Sequence, residues 1–335
     1  MLRLRTSLGM GMYLAGLLLG CGDATDLAGI PVAPLGDGNQ PSGSSPGRCT
    51  SPSYHAEQGR LLQGSRGSSF TITSVSLGCG NVQNLHVEGA QLLGTNQGVP
   101  VSGTDFIGGI ATLRDADGQP ATARIDRADR DASDPTGVTF LYTLTYRDSN
   151  TGATINACLP DPDGVAAALP LRGRWDATGA KRDTDTAISL GCTSGVLAKC
   201  VRWGYRPWEV KNGVPLEQHH QACTRMARAD YCGNGTSYTV EGTKVDIYDV
   251  VPVLTRNPSL LSLFESSWTP DGAYCIARER WLSLTGLLPP NCTANFELAI
   301  EPSPVDRNDL CLMKRRSIPA ADALVSNSTG INITL

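Results

Sequence analysis

Residues 138–146 read Val138-Thr139-Phe140-Leu141-Tyr142-Thr143-Leu144-Thr145-Tyr146, a run of β-branched residues, aromatics and leucine with no glycine or proline inside it. Such side chains suit a pleated, half-buried surface, so the run is read as a β-strand. Phe70-Thr71-Ile72-Thr73-Ser74-Val75 and Ala187-Ile188-Ser189-Leu190 have the same character, and Asp117-Gly118 and Asp163-Gly164 mark turns between such runs. A loose Gly-x-x-(Leu/Phe)-x-Gly pattern recurs at 59–64, 89–94 and 103–108, at spacings too irregular for a solenoid and suited to meander strands. Residues 49–190 are therefore expected to form an antiparallel β module.

The pattern changes after residue 190. All five tryptophans, Trp175, Trp203, Trp208, Trp268 and Trp281, fall between positions 175 and 281, which places a second core there. Residues 215–231 read as one long helix, with Pro215 suited to its first turn and Gly233 just past its end. A hairpin is expected around Glu241-Gly242, joining 237–240 to 243–248, and a further turn at Asp271-Gly272. The fold class expected is α+β and β-rich: an antiparallel β module, then a mixed α+β module at 191–290 with one long helix, then a C-terminal extension at 291–335. The polar end of the chain, from Ser326 onward, is expected to fray.

The chain has 335 residues, a formal net charge of -4 and eleven cysteines. That length can bury a real core. The mild acidity offers no basic stripe for nucleic acid, and that class of partner is set aside. Arg3 and Arg5 precede an apolar run at 8–19, too short to span a hydrocarbon core of about 30 Å, and small residues follow. Residues 1–20 thus read as a signal peptide, and Leu18-Leu19-Gly20-Cys21 resembles a bacterial lipobox. Cys21 is the expected lipidation site, and the membrane, through that anchor, is the expected partner. Several acyl chains, at about 0.8 kcal/mol per buried methylene, hold a protein stably where one does not. Gly22 rather than Asp follows Cys21; by resemblance to sorting rules in other bacteria, this favours the outer membrane of the cell envelope.

Removing 1–20 leaves 26 basic and 32 acidic side chains. Residues 22–48 hold six Gly, four Pro and three Ser and no periodic apolar pattern. They read as a flexible tether reaching about 25 to 30 Å. Its Gly43-Ser44-Ser45-Pro46-Gly47 matches a hydrolase nucleophile elbow in letters only, because no strand and helix flank it.

With Cys21 lipidated, ten cysteines remain: Cys49, Cys79, Cys158, Cys192, Cys200, Cys223, Cys232, Cys275, Cys292 and Cys311. An even set without a CxxC pair in an exported chain reads as a disulfide framework. Cys223 and Cys232 lie nine positions apart along the expected helix, about 13.5 Å, too far to bridge. Near-neighbour pairing is expected: Cys49 with Cys79, Cys158 with Cys192, Cys200 with Cys223, Cys232 with Cys275, and Cys292 with Cys311.

Cys192-Thr193-Ser194-Gly195-Val196-Leu197-Ala198-Lys199-Cys200-Val201-Arg202-Trp203-Gly204-Tyr205-Arg206-Pro207-Trp208, followed by His220-Gln221-Ala222-Cys223-Thr224-Arg225-Met226-Ala227-Arg228-Ala229-Asp230-Tyr231-Cys232-Gly233, resembles the ADYC domain family, whose signature stands here at 229–232. The resemblance extends over roughly 50–285. It implies an exported protein or lipoprotein of myxobacterial type and brings no established activity, so no catalytic residue is carried over from it.

Four clusters remain to be weighed. His219, His220 and Cys223, near Asp230 and Cys232, have the residue types of a thiol enzyme or a metal site, but a disulfide at Cys223 would remove the nucleophile. Arg225, Arg228 and Asp230 suit an ion pair at the helix end. Trp203, Tyr205, Arg206 and Trp208 are the candidate ligand-binding residues, since aromatic faces stack on sugar rings and arginine bonds hydroxyls or carboxylates. The stretch 115–134, with six Asp and with Arg124, Arg127 and Arg130, lacks calcium-loop spacing and reads as a solvated loop. No catalytic residue, metal site or cofactor is assigned. The expected function is that of an envelope lipoprotein acting as a non-enzymatic module that binds a glycan, peptide or protein or serves as a structural surface element. The alternative is an exported hydrolase built on His220, Cys223 and Asp230.

Overall fold

The computed structural model describes residues 70–333, apart from 115–117, 119, 149–150, 177, 183–185, 240–242, 258–261, 283–289, 303–309 and 331. The first strands are β1 (Phe70–Leu77), β2 (Gly80–Asn81), β3 (Gln83–Glu88), β4 (Gln91–Asn96), β5 (Val99–Ser102), β6 (Ile110–Arg114), β7 (Pro120–Arg130), β8 (Phe140–Arg147), β9 (Thr154–Asn156), β10 (Ala168–Arg172), β11 (Arg174–Trp175), β12 (Lys181–Arg182) and β13 (Ile188–Cys192). The antiparallel order β10-β13-β1-β6-β7-β8 returns on itself where Ala168 of β10 pairs with Tyr142 of β8, closing a six-stranded barrel. Closure pairs the barrel's own sheet edges. The curvature it needs is supplied by irregularities in register at Ile72/Ser74 in β1 and Ile125/Arg127 in β7. Alternate side chains fill the inside, among them Ile72, Val75, Leu113, Ile125, Leu144 and Leu190.

The strands read at 70–75, 138–146 and 187–190 become β1, β8 and β13. The Asp-rich stretch is a correction: most of it is β7, eleven residues long, with Ala123, Ile125 and Ala128 buried. Its charges pair along the outer face, Arg124 with Asp126 at 3.0 Å and Arg127 with Asp129 at 3.1 Å, so charge density concealed a two-residue alternation. Of the glycine repeats, 59–64 lies outside the described residues, 89–94 leads into β4, and 103–108 opens with a 3-10 turn over Gly103–Phe106 rather than a strand.

Helix α1 (Val196–Arg202) follows β13 and packs on the barrel so closely that a Cβ on Gly191 would stand 3.0 Å from that of Leu197. Next come β14 (Val210–Lys211) and β15 (Val214–Pro215), a hairpin, and α2 (Glu217–Arg228). The helix expected over 215–231 is shorter at both ends. Pro215 belongs to the hairpin, and Ala229 takes a left-handed conformation (φ 51°, ψ 43°) that ends α2.

The remaining strands are β16 (Val245–Asp249), β17 (Leu263–Thr269), β18 (Gly272–Ile276), β19 (Trp281–Leu282), β20 (Phe296–Pro302), β21 (Leu310–Arg315), β22 (Val325–Thr329) and β23 (Asn332–Ile333), and six of them build a second sheet. The order of that sheet is β16-β22-β17-β18-β21-β20, and β19 and β23 form a separate parallel pair. Two expectations fail here. The hairpin at Glu241-Gly242 does not pair as read: 240–242 lies outside the described residues, 237–239 is in no strand, and the partner of β16 is β22. The end of the chain does not fray from Ser326, because Val325–Thr329 is a fully buried central strand between β16 and β17. The turn at Asp271-Gly272 forms as read, joining β17 to β18 with Gly272 at φ 120°. The barrel, the helices and the second sheet lie within one compact unit. The fold is β-rich, with two α-helices among the described residues.

Four disulfides are described. Cys158–Cys192 and Cys200–Cys223 follow the near-neighbour expectation, with Cα separations of 5.5 and 5.9 Å. The next two correct it: Cys232 bonds Cys292 and Cys275 bonds Cys311, at Cα separations of 5.1 and 5.5 Å. Cys275 and Cys311 lie on the adjacent strands β18 and β21, so sheet topology overrides sequence proximity. Cys79 is disulfide-bonded as well, and the expected partner Cys49, like Cys21, lies outside the described residues.

Candidate interaction surface

Helix α2 carries many polar residues and is nonetheless enclosed: His219, His220, Gln221, Thr224, Arg225 and Arg228 are all buried. Burial on this scale requires a partner for each polar group. Gln221 accepts from the Trp175 indole at 2.8 Å and donates to the Gly179 carbonyl at 2.7 Å. Arg225 donates to the carbonyls of Pro270 (2.9 Å) and Thr178 (2.5 Å) and, through Nη1, to Asp230 Oδ2 at 2.6 Å. Asp230 in turn accepts the backbone N–H of Asn234 and of Gly235.

The four residues 229–232 each have a separate structural task. Ala229 ends the helix in the left-handed region, Asp230 pairs with Arg225, and Cys232 bonds Cys292. Tyr231 stacks on Trp268 with ring centroids 5.2 Å apart and points its hydroxyl at a buried carboxylate, donating to Glu265 Oε1 at 3.0 Å. Glu265 Oε2 also accepts from Arg280 Nε at 3.0 Å and from Asn327 Nδ2 at 2.8 Å. Arg280 extends beyond that pair and donates to the carbonyls of Met226 (2.7 Å) and Ala227 (3.1 Å), which places a guanidinium at the carboxyl end of α2. Burial, with Glu265 beside it, holds the Tyr231 phenol well above its usual pKa. Glycine is required next in the chain: Gly233 has φ 68°, and a Cβ there would overlap the Asp271 carbonyl oxygen.

The residues of the alternative hydrolase do not assemble into a reacting centre. The Cys223 sulfur is bonded to that of Cys200. His220 Nε2 lies 3.0 Å from the Leu197 carbonyl, the ring meets Trp175 in a T-shaped contact, and burial pulls its pKa down to about 4. His219 stacks on Tyr205 at 6.4 Å, and burial lowers its pKa as well. Asp230 is committed to Arg225. Arg228, grouped with them in sequence, donates to the Gly235 carbonyl.

The segment 203–208 divides into residues that anchor and residues that face outward. Tyr205 is fully buried, and its hydroxyl donates to Asp249 Oδ2 at 2.9 Å. Asp249 also accepts the backbone N–H groups of Val251, Val253 and Leu254, so one carboxylate binds the 250–254 loop to the 203–208 segment. Arg206 is buried against Asp134 (3.4 Å) and Glu209 (3.3 Å). Although burial pushes the Asp134 carboxyl up, hydrogen bonds from Thr136 and Thr139 bring it down to about 2. Trp208 packs against the barrel-side cluster of Leu169, Leu171 and Trp175. Neither Tyr205 nor Arg206 presents a face to a ligand. Trp203 does, at 36% exposure.

Sequence reasoning overlooked the neighbours of Trp203. Val210 and Val214 are 64% and 37% exposed on the hairpin β14–β15, whose turn residues Asn212 and Gly213 both have positive φ. The dipeptide Asn212-Gly213 between two valines was the available signal, since such pairs favour two-residue hairpin turns. The hairpin is fastened to the 250–254 loop by Lys211 Nζ to the Pro252 carbonyl (2.7 Å) and Asn212 Nδ2 to the Val251 carbonyl (3.1 Å). Val250 on that loop is 61% exposed, and Gly204 lies against Val253. Trp203, Val210, Val214 and Val250 are thus exposed on these loops, with Val210 and Val214 on opposite faces of the hairpin, because Val210 stands across from Pro215 and Lys211 across from Val214.

A separate cleft of about 600 Å³ opens between the first turn of α2, β12, the β17–β18 turn and residues 317–324. The Lys181–Glu217 ion pair lies on its wall, with Asp271, Asp322 and Ile318. Among the described residues no group of His, Cys, Asp or Glu converges as a metal cage.

The ADYC domain matches residues 103–282, more than half of the chain. That span contains the barrel from its β6 strand onward, both helices and the network around residues 229–232. No curated protein and no solved structure matches the chain.

Proposed function

The chain belongs to the ADYC domain family, and from that premise we propose that it is a lipoprotein of the bacterial envelope, anchored in the outer membrane through Cys21, whose disulfide-stapled body is a non-enzymatic binding module. The observation that carries this reading is the use made of the signature: Ala229, Asp230, Tyr231 and Cys232 are all spent on the scaffold. What they hold in place is the end of α2 against the second sheet. Binding then falls to exposed side chains such as Trp203 and not to Tyr205 or Arg206, which are buried and paired with Asp249 and with Asp134 and Glu209.

Two measurements test it together. Growth with labelled palmitate should label the wild-type protein, and Cys21→Ala should abolish both the label and co-sedimentation with outer membranes. Alkylation of the unreduced mature protein should add no mass. A Cys21→Ala protein that stays labelled, or an alkylated Cys223 or Cys232, overturns the reading.

A further inference from the structure

We infer that the second sheet continues into a second copy of this chain, with β20 of one copy pairing antiparallel to β20 of the other about a two-fold axis at Leu298. This pairing does not depend on the lipid anchor.

The two edges of the sheet differ. Beside β16, Asp249 accepts the N–H groups of Val251, Val253 and Leu254, and Asp246 accepts that of Asn257, so the segment that follows is bonded back against its own strand. At the other edge, the seven residues of β20 pair with β21 alone among the described residues. A strand left in this state offers a row of backbone donors and acceptors to a further strand.

Ile276, Met313 and Leu298 stand opposite one another on β18, β21 and β20, in one cross-strand row. Exposure rises along it from 1% at Ile276, through a half-buried Met313, to 83% at Leu298. Ile276 lies in the core with Trp268 and Met226 of α2, and Met313 packs against that core. The row therefore starts in the core and runs out into water at its third member. Leu298 is the most exposed large hydrophobic side chain among the described residues, and the neighbour that would cover it has to be apolar and carried on a strand beside β20.

A second copy meets both conditions. With the axis at Leu298 the row continues through the partner's leucine to its methionine and isoleucine, and each leucine covers the other in an isologous contact. Glu297 of each copy then stands opposite Ala299. Moving the axis by one residue, to Glu297, would instead set two carboxylates face to face, a destabilising cross-strand pair. Regular pairing is confined to positions near the axis, because the register of β20 shifts between Leu298 and Glu301. A contact of this extent falls short of the roughly 1,200 to 2,000 Å² of a stable complex, so the dimer should dissociate on dilution.

The test uses the full mature chain carrying Cys21→Ala, so that no lipid drives association, sedimented from micromolar to millimolar concentration. A reversible monomer–dimer equilibrium is expected, and adding Leu298→Lys should hold the protein monomeric throughout; the position is exposed, so the variant should fold. Benzoylphenylalanine at position 298, in a mixture of isotope-labelled and unlabelled chains, should give a mixed adduct that maps to β20 of the other copy. A parent that stays monomeric at every concentration, or a Leu298→Lys protein that dimerises as tightly as its parent, overturns the proposal. An adduct to a different protein in intact envelopes, with none between copies, overturns it in favour of a strand from another partner.

Discussion

The Tyr231 hydroxyl donates to Glu265 Oε1 at 3.0 Å in a place where both side chains are fully buried. The same oxygen accepts the backbone N–H of Arg280 at 2.7 Å, so one phenol completes the hydrogen bonding of a buried carboxylate and of a strand-end amide. Replacing it by Phe keeps the ring on Trp268 but leaves that amide without an acceptor and removes a donor from Glu265. Tyr231→Phe should cost about 1 to 3 kcal/mol in urea unfolding of the oxidised protein. A change within measurement error would show that the phenol is dispensable to the network.

Arg225 and Asp230 form a second buried contact, 2.6 Å long, that closes the end of α2. Cutting one member of such a pair leaves the other charge without compensation. Asp230→Ala should therefore lose about 3 to 5 kcal/mol, and also the caps on Asn234 and Gly235. Replacing both residues with apolar ones of similar volume should recover much of the loss. An Asp230→Ala protein as stable as wild type would mean that water or another cation takes the place of the carboxylate.

Peptide mapping of the unreduced protein should recover Cys232 linked to Cys292 and Cys275 linked to Cys311. Recovery of Cys232 linked to Cys275 would contradict the strand order β18-β21 as well as the pairing. Replacing Cys200 and Cys223 together by Ser should lower stability by about 3 kcal/mol, the loop-closure value for a separation of 23 residues.

The His220 ring predicts the acid response. Burial lowers its pKa from 6.5 to about 4, so the unfolded chain takes up the proton first as pH falls. The contribution of the neutral imidazole is complete above pH 6.5 and is lost as pH falls toward 4, a change of about 3 kcal/mol. His219 is lowered in the same direction and adds to the slope. His220→Gln, which retains a donor for the Leu197 carbonyl, should flatten the urea midpoint against pH across that window. An unchanged slope would place the titration elsewhere.

Much of the architecture was legible in local chemistry. The strands at 70–75, 138–146 and 187–190, the helix centred on Cys223 and the turn at Asp271-Gly272 all rest on side-chain shape and backbone freedom, which a stretch of chain carries with it. The barrel was not legible, because it closes through a single pairing of Ala168 with Tyr142. The candidate binding segment was only half legible. Trp203, Tyr205, Arg206 and Trp208 look alike as a motif, and only Asp249, from the end of β16, and Asp134, from a distant loop, decide which of them turn inward.

What the sequence determined alone is therefore local: where the chain extends, where it coils, and that its cysteines form a framework. The tertiary structure decided how Cys232, Cys275, Cys292 and Cys311 pair, because the entropy of closing a loop grows so slowly with length that nearest neighbours hold little advantage over segments placed side by side. It also decided the fate of Ser326, Asn327 and Ser328. Polar residues at a chain end resemble a frayed tail until Ser267, Glu265, Trp268 and Tyr248 are set beside them, where Ser326, Asn327 and Ser328 each find a side-chain partner.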